Sequence, residues 1–165
     1  MSDDGPIHAC LERWHAHLRG ELDGGLDAIL HEEVTFLSPI VFTPQEGREI
    51  TKTYLTAAGG TLGGDDRPER DPSGDGSSGD GASGLESGGG GFRYVKEIAQ
   101  GHHAMLEFET TIEGRYVNGV DILTCDDDGA ITEIKVMIRP LQAIDLVHAQ
   151  MKAMLERMAG GATPG

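Results

Sequence analysis

Cations are scarce in this chain. Its 165 residues carry 13 Lys plus Arg against 28 Asp plus Glu, a formal net charge of −15. A phosphate backbone or an anionic bilayer would be repelled by such a surface, so neither nucleic acid nor membrane is an expected partner. Long apolar runs are also missing: no stretch approaches the roughly 20 apolar residues of a membrane span. The first residues, Met1-Ser2-Asp3-Asp4, are acidic where a secretory leader would be basic. Cysteine is limited to Cys10 and Cys125, too few for a disulfide framework and without metal-ligand spacing. A cytoplasmic protein with two free thiols, no metal and no cofactor is therefore expected.

What the chain has is enough apolar residue, 38%, for one modest core. A single domain over 1–165 is expected, with one interruption. Of the 25 glycines, 13 fall between Gly59 and Gly91, mixed with Ser, Asp and Pro. Only Leu62 and Leu85 are large and apolar there, too little buried surface to offset the ordering entropy of so much glycine. The composition predicts a flexible insertion over 59–91 and a disordered tail over 159–165. A phosphate-binding loop is the sharper alternative, but no Gly-Lys-Ser/Thr follows and Gly88 to Gly91 lead into a strand-like segment.

Before the insertion the pattern is helical. Ile7, Cys10, Leu11, Trp14 and Leu18 share one face of a helix opened by Pro6 and ended near Gly20. A short second helix carries Leu26, Ile29 and Leu30. The run Val34-Thr35-Phe36-Leu37-Ser38 reads as a strand stopped by Pro39. Thr43-Pro44-Gln45-Glu46 reads as a capping box opening a third helix with Ile50, Tyr54, Leu55 and Ala58 buried.

After it the period becomes two. A strand begins at Phe92, Tyr94 and Val95; Ala104, Leu106, Phe108, Thr110 and Ile112 alternate along the next. Glu113-Gly114 turns into Tyr116 to Cys125, and Asp126-Asp127-Asp128-Gly129 turns again into Ile131 to Arg139. An antiparallel meander is expected, followed by an amphipathic helix from Pro140 with Leu141, Ile144, Val147, Met151, Met154, Leu155 and Met158 on its apolar side. The class is α+β, helices on one face of a curved sheet.

Asp121 carries the clearest chemical signal, an acid inside Gly119-Val120-Asp121-Ile122-Leu123. If its face is concave, desolvation raises its pKa and leaves it able to donate a proton or a hydrogen bond; the alternative is an outward Asp121 paired with Lys135 or Arg139. His8, His15 and His17 lack zinc spacing. Asp126-Asp127-Asp128-Gly129 resembles the start of a calcium loop but lacks its later glutamate and fits a hairpin turn. Glu107 and Glu109 share a strand face, which suits either paired acids or a solvated surface. His102-His103 lies at a loop with nothing to orient it, and no Gly-x-Ser-x-Gly or Cys-His arrangement occurs.

The element order, the Glu32-Glu33-Val34-Thr35-Phe36 run with Trp14 upstream, Ser38-Pro39 and the strands ending in Asp128-Gly129-Ala130-Ile131 resemble the nuclear transport factor 2-like superfamily, its SnoaL-like branch in particular. The resemblance covers roughly 6–58 and 92–140. It implies a cone-shaped fold, a curved antiparallel sheet wrapped by helices including a C-terminal one, around an apolar pocket, and a homodimer through the sheet's outer face. In ketosteroid isomerase relatives a base Asp precedes a proline after the first strand, where Ser38 stands here, and Asp121 resembles their protonated Asp. In limonene epoxide hydrolase relatives an Arg-x-Asp pair occupies Asp121's strand; Gly119 replaces the Arg, and Val136 falls near where their final strand carries an acid. The expected function is binding of a small hydrophobic molecule, with Trp14, Phe36, Tyr54, Val136 and Ile138 as wall and Asp121 or Ser38 as anchor. The alternative is an isomerase, cyclase or epoxide hydrolase of secondary metabolism with catalytic Asp121 and a base such as His17 or Glu107.

Overall fold

In the computed structural model, residues 5–63 and 91–160 are described. The bulk of the glycine-rich insertion, 64–90, and the tail from 161 lie outside them. Helix α1 spans Pro6–Leu18 and a 3-10 turn Gly25–Ala28; strands β1 (Leu30–Leu37) and β2 (Gln45–Glu46) precede helix α2 (Arg48–Leu62). The second half is β3 (Arg93–Gln100), β4 (His103–Ile112), β5 (Arg115–Cys125), β6 (Ile131–Arg139) and helix α3 (Leu141–Gly160).

The six strands form one curved sheet in the order β2-β1-β6-β5-β4-β3. From β3 to β6 it is the expected antiparallel meander. The sheet as a whole is mixed, because β1 runs parallel to β6, with Phe36 opposite Ile134. A parallel neighbour requires a crossover, and the chain from β1 through α2 to the meander supplies it.

Several expected boundaries move. Leu26 lies in the 3-10 turn, but Ile29 only caps it and Leu30 opens β1. Gln45 and Glu46 do not cap a helix; they pair with Phe36 and Thr35, where their backbone groups find partners on the edge of β1. Gly47, at φ +106°, makes the turn that follows, and α2 starts at Arg48. The buried stripe of α2 is consequently Thr51, Ala57 and Thr61, with Tyr54, Leu55 and Ala58 half-buried and Ile50 exposed. Gly59 to Leu62 form the last turn of this helix rather than the start of a loop, and the Leu62 carbonyl accepts a hydrogen bond from Thr110 Oγ1 at 3.0 Å. At the other end, α3 runs through Gly160, past the expected start of the tail, and leaves Leu141 and Met158 exposed.

Alternation on β4 and β5 puts Ala104, Leu106, Phe108 and Ile112 on the same side as Val117, Gly119, Asp121, Leu123 and Cys125, all buried. Helix α1 lays Ile7, Cys10, Leu11 and Trp14 on the Leu106, Leu123 and Ile134 part of this face; α2 and α3 cover the Phe108 and Val117 part with Ala57, Ala143, Val147 and Met151. The β4–β5 hairpin closes on Glu113 and Gly114, both at positive φ, the two-residue turn that suits strand twist. Between β5 and β6 the Asp126 carboxylate accepts from the Asp128 and Ala130 amides at 3.0 and 2.9 Å, so the acidic run is a turn.

Candidate functional site

A cavity of about 510 Å³ lies between the inner sheet face and the three helices. Trp14 reaches it from α1, Phe36 and Ser38 from the end of β1, Asp121 from β5, and Val136 and Ile138 from β6. Register explains the convergence: Asp121 is opposite Val136 and Gly119 opposite Ile138, so these side chains share the concave face. Tyr54 is placed differently. Its ring packs on Phe36 with centroids 5.6 Å apart, and it lines a neighbouring cavity of about 260 Å³ instead.

The polar centre is a chain of three residues. The Trp14 indole Nε1–H donates to the Tyr94 hydroxyl at 3.1 Å, and Tyr94 O–H donates to Asp121 Oδ2 at 2.6 Å. Burial pushes the Asp121 carboxyl from 3.8 up to about 6, while the bond from Tyr94 pulls it down. The Tyr94 phenol is in turn raised well above 10.0, by burial first and by the Asp121 charge second, so it stays a donor at neutral pH. Lys135 pairs with Glu133, and Arg139 donates to Asn118 Oδ1; neither reaches Asp121.

Tyr94 escaped the sequence reading, and the reason is local. The β3–β4 register shifts between Tyr94 and Lys96, so Val95 is an extra, bulged residue. Tyr94 lies opposite inward Phe108, while beyond the bulge Ile98 lies opposite outward Met105. A break in parity hides the inner face from an alternation argument, although the Phe92, Tyr94 spacing of two is the signal that could have found it. Phe92 joins the wall, its ring centroid 5.0 Å from that of Tyr94.

At the mouth stand His15, His17, Arg19 and Arg93. His15 Nε2 contacts Glu97 Oε2 at 2.7 Å, Arg19 pairs with Glu21 at 2.7 Å, and Arg93 with Glu109 at 2.9 Å. His17 is held below 6.5 by partial burial, hence neutral at pH 7. Glu107 is on the wrong side of the sheet for a base: it pairs with Lys96 at 3.4 Å and accepts from Asn118 on the outer face. His102 and His103 bond Cys125 O and Thr124 Oγ1, away from the cavity. Among the described residues no cluster of three or more His, Cys, Asp or Glu could hold a metal, and no helix is long and apolar enough to cross a membrane.

No family model and no curated protein matches the chain. Solved structures do. A steroid delta-isomerase from Pseudomonas aeruginosa superposes with a TM-score of 0.74 at 23% identity, over 95% of this chain and 96% of the other. An uncharacterized bacterial protein with a cystatin-like fold from Silicibacter pomeroyi gives 0.66 at 21%, over 90% and 86%. A nuclear transport factor 2-like protein of unknown function from Cytophaga hutchinsonii gives 0.50 at 16%, over 87% and 98%. The chain has the nuclear transport factor 2-like fold. In this nuclear transport factor 2-like sheet, Gly119 has a packing reason to be glycine: a Cβ there would fall on the Phe108 ring and 2.6 Å from the Met137 carbonyl. An arginine at that position would displace the core.

Proposed function

We propose that the protein binds a small, largely apolar molecule in the cone cavity, anchored at one polar point by the Asp121–Tyr94 pair. The carrying observation is the composition of the cavity: aromatic and aliphatic walls from Trp14, Phe36, Val136 and Ile138 around one buried carboxyl with a single side-chain hydrogen bond. Native mass spectrometry of freshly purified protein tests this, together with the emission of Trp14, the chain's sole tryptophan and part of the wall. One small molecule per subunit, absent from Val136→Phe, is the expected result. No retained mass, with unchanged Trp14 emission across a set of cyclic alcohols, phenols, ketones, hydrocarbons and hydrophobic ammonium ions, would overturn the proposal.

A second reading, an isomerase, cyclase or epoxide hydrolase of secondary metabolism, is favoured by one observation. Asp121 at about 6 exchanges its proton close to neutral pH, as a general acid must. The steroid delta-isomerase among the similar structures is consistent with it. Ser38 bonds the Ile40 and Val41 amides at 3.2 and 3.3 Å and is no base, which leaves neutral His17 as the group to supply that role.

We further propose a cytoplasmic homodimer formed through the outer sheet face. Ile98, Met105 and Met137 stand exposed there around a shallow depression, a contiguous apolar patch of the kind that marks contact surfaces.

A further inference from the structure

The hydrogen-bond directions at the cavity floor restrict the ligand. Tyr94 spends its single proton on Asp121, and the Trp14 N–H is spent on Tyr94. With Asp121 ionised, what faces the cavity from this group is acceptor only: the free Oδ1 and the remaining lone pairs of Oδ2. A carbonyl or other acceptor finds no donor there, so the ligand must bring the donor or the positive charge.

Charge argues the same way. Asp121 is buried, and no cation among the described residues contributes to its protonation equilibrium, only burial and the Tyr94 bond. The groups facing it are accounted for: Tyr94 from β3, neutral His17 and Glu97-bound His15 from α1, and at the mouth Arg19 and Arg93, each held by its own carboxylate. From α2 and α3 the wall is apolar, through Leu55, Ala58, Val147 and Met151. A buried carboxylate without a counter-ion is costly unless a cation arrives from outside.

The walls fit such a cation. Of the chain's eight Trp, Tyr and Phe residues, four line this cavity: Trp14, Phe36, Phe92 and Tyr94. Ring faces attract ammonium groups and, unlike an aliphatic wall, offset part of their desolvation.

We propose that the ligand is a hydrophobic ammonium ion, a protonated or quaternary amine, with its cationic head against Asp121 among these rings and its apolar body along Val136 and Ile138. The inference rests on the cavity being a small-molecule site and names the ligand class for it. No covalent step is involved.

The test uses two molecules of one shape, phenyltrimethylammonium and tert-butylbenzene, titrated against the full chain with Trp14 emission as readout. At pH 8 the ammonium is expected to bind about tenfold or more tightly than the hydrocarbon. That preference should shrink toward parity by pH 5, since the probe's own charge does not change. Asp121→Asn should lose the preference at every pH while keeping hydrocarbon affinity within about threefold of wild type; its histidines are intact, so a pH effect of His15 or His17 would persist in it. The wild-type pH series needs no variant and stands even if the substitution perturbs the fold. Equal or better binding of tert-butylbenzene overturns the ammonium inference and leaves the cavity as a small-molecule site. Binding of neither up to millimolar concentration overturns both.

Discussion

Asp121 shows how one residue's position sets a pH-dependent property. The unfolded chain gives up this proton near 3.8, whereas the folded protein holds it to about 6. Folding therefore takes up a proton in that window, and the carboxyl's contribution to stability is most favourable below both values, declines as pH rises between them and stays lower above. The whole effect is at most about 3 kcal/mol. Asp121→Asn should accordingly be more stable than wild type at pH 8, by up to that amount, with the two urea denaturation midpoints converging by pH 4. Parallel midpoints across the range would mean that the carboxyl is solvated in the folded protein. Asp121 itself was legible in the sequence, because an acid within Gly119-Val120-Asp121-Ile122-Leu123 breaks an apolar strand. Its partner was not: Tyr94 is one of several aromatics near the start of a strand, and nothing local says which acid its hydroxyl will meet 27 residues on.

At the scale of elements, parity and register decide what the cavity contains. The meander of β4, β5 and β6 was readable because every second residue is apolar over long, unbroken strands joined by turn sequences. β3 was half-readable, its alternation broken at Val95. The segment 43–46 misled because a capping-box sequence and an edge-strand sequence both satisfy the same backbone groups; β1's free edge settled the matter by pairing Phe36 with Gln45. Tyr54 shows the related limit on helices: a stripe fixes the inward face but not which of two adjoining cavities a side chain enters. Close packing between elements is tested at Gly119. Gly119→Ala puts a methyl group onto the Phe108 ring and the β6 backbone, and is expected to lower stability by about 1–3 kcal/mol in urea denaturation. A neutral substitution would show that β5 and β6 separate easily at this point.

For the whole molecule the question is what the outer sheet face does. Ile98, on the edge strand β3, and Met137, on β6 inside the sheet, are 59% and 52% exposed. Such residues are unusual on a chain as acidic as this one, net −15, where solvent-facing positions could equally carry charge. Sedimentation velocity at micromolar concentration is expected to give a dimer for the wild type and a monomer for Ile98→Glu with Met137→Glu, the variant's far-UV circular dichroism remaining that of the wild type. A wild-type monomer would remove the sheet-face dimer.

Composition and periodicity by themselves determined the α+β class, the meander, which side chains of β5 and β6 share a face, the acidic surface and Asp121 as the residue to watch. They could do so because each of these depends on intervals of two to four residues or on sums over the chain. Tertiary structure alone decided that β1 lies parallel to β6, that Val95 bulges, that Glu107 faces outward with Lys96, and that Trp14, Tyr94 and Asp121 form one hydrogen-bonded chain. Those facts join residues from 11 (Lys96 to Glu107) to about 100 positions apart (β1 to β6), and which of them meet is fixed by which surfaces can be buried together rather than by any local preference.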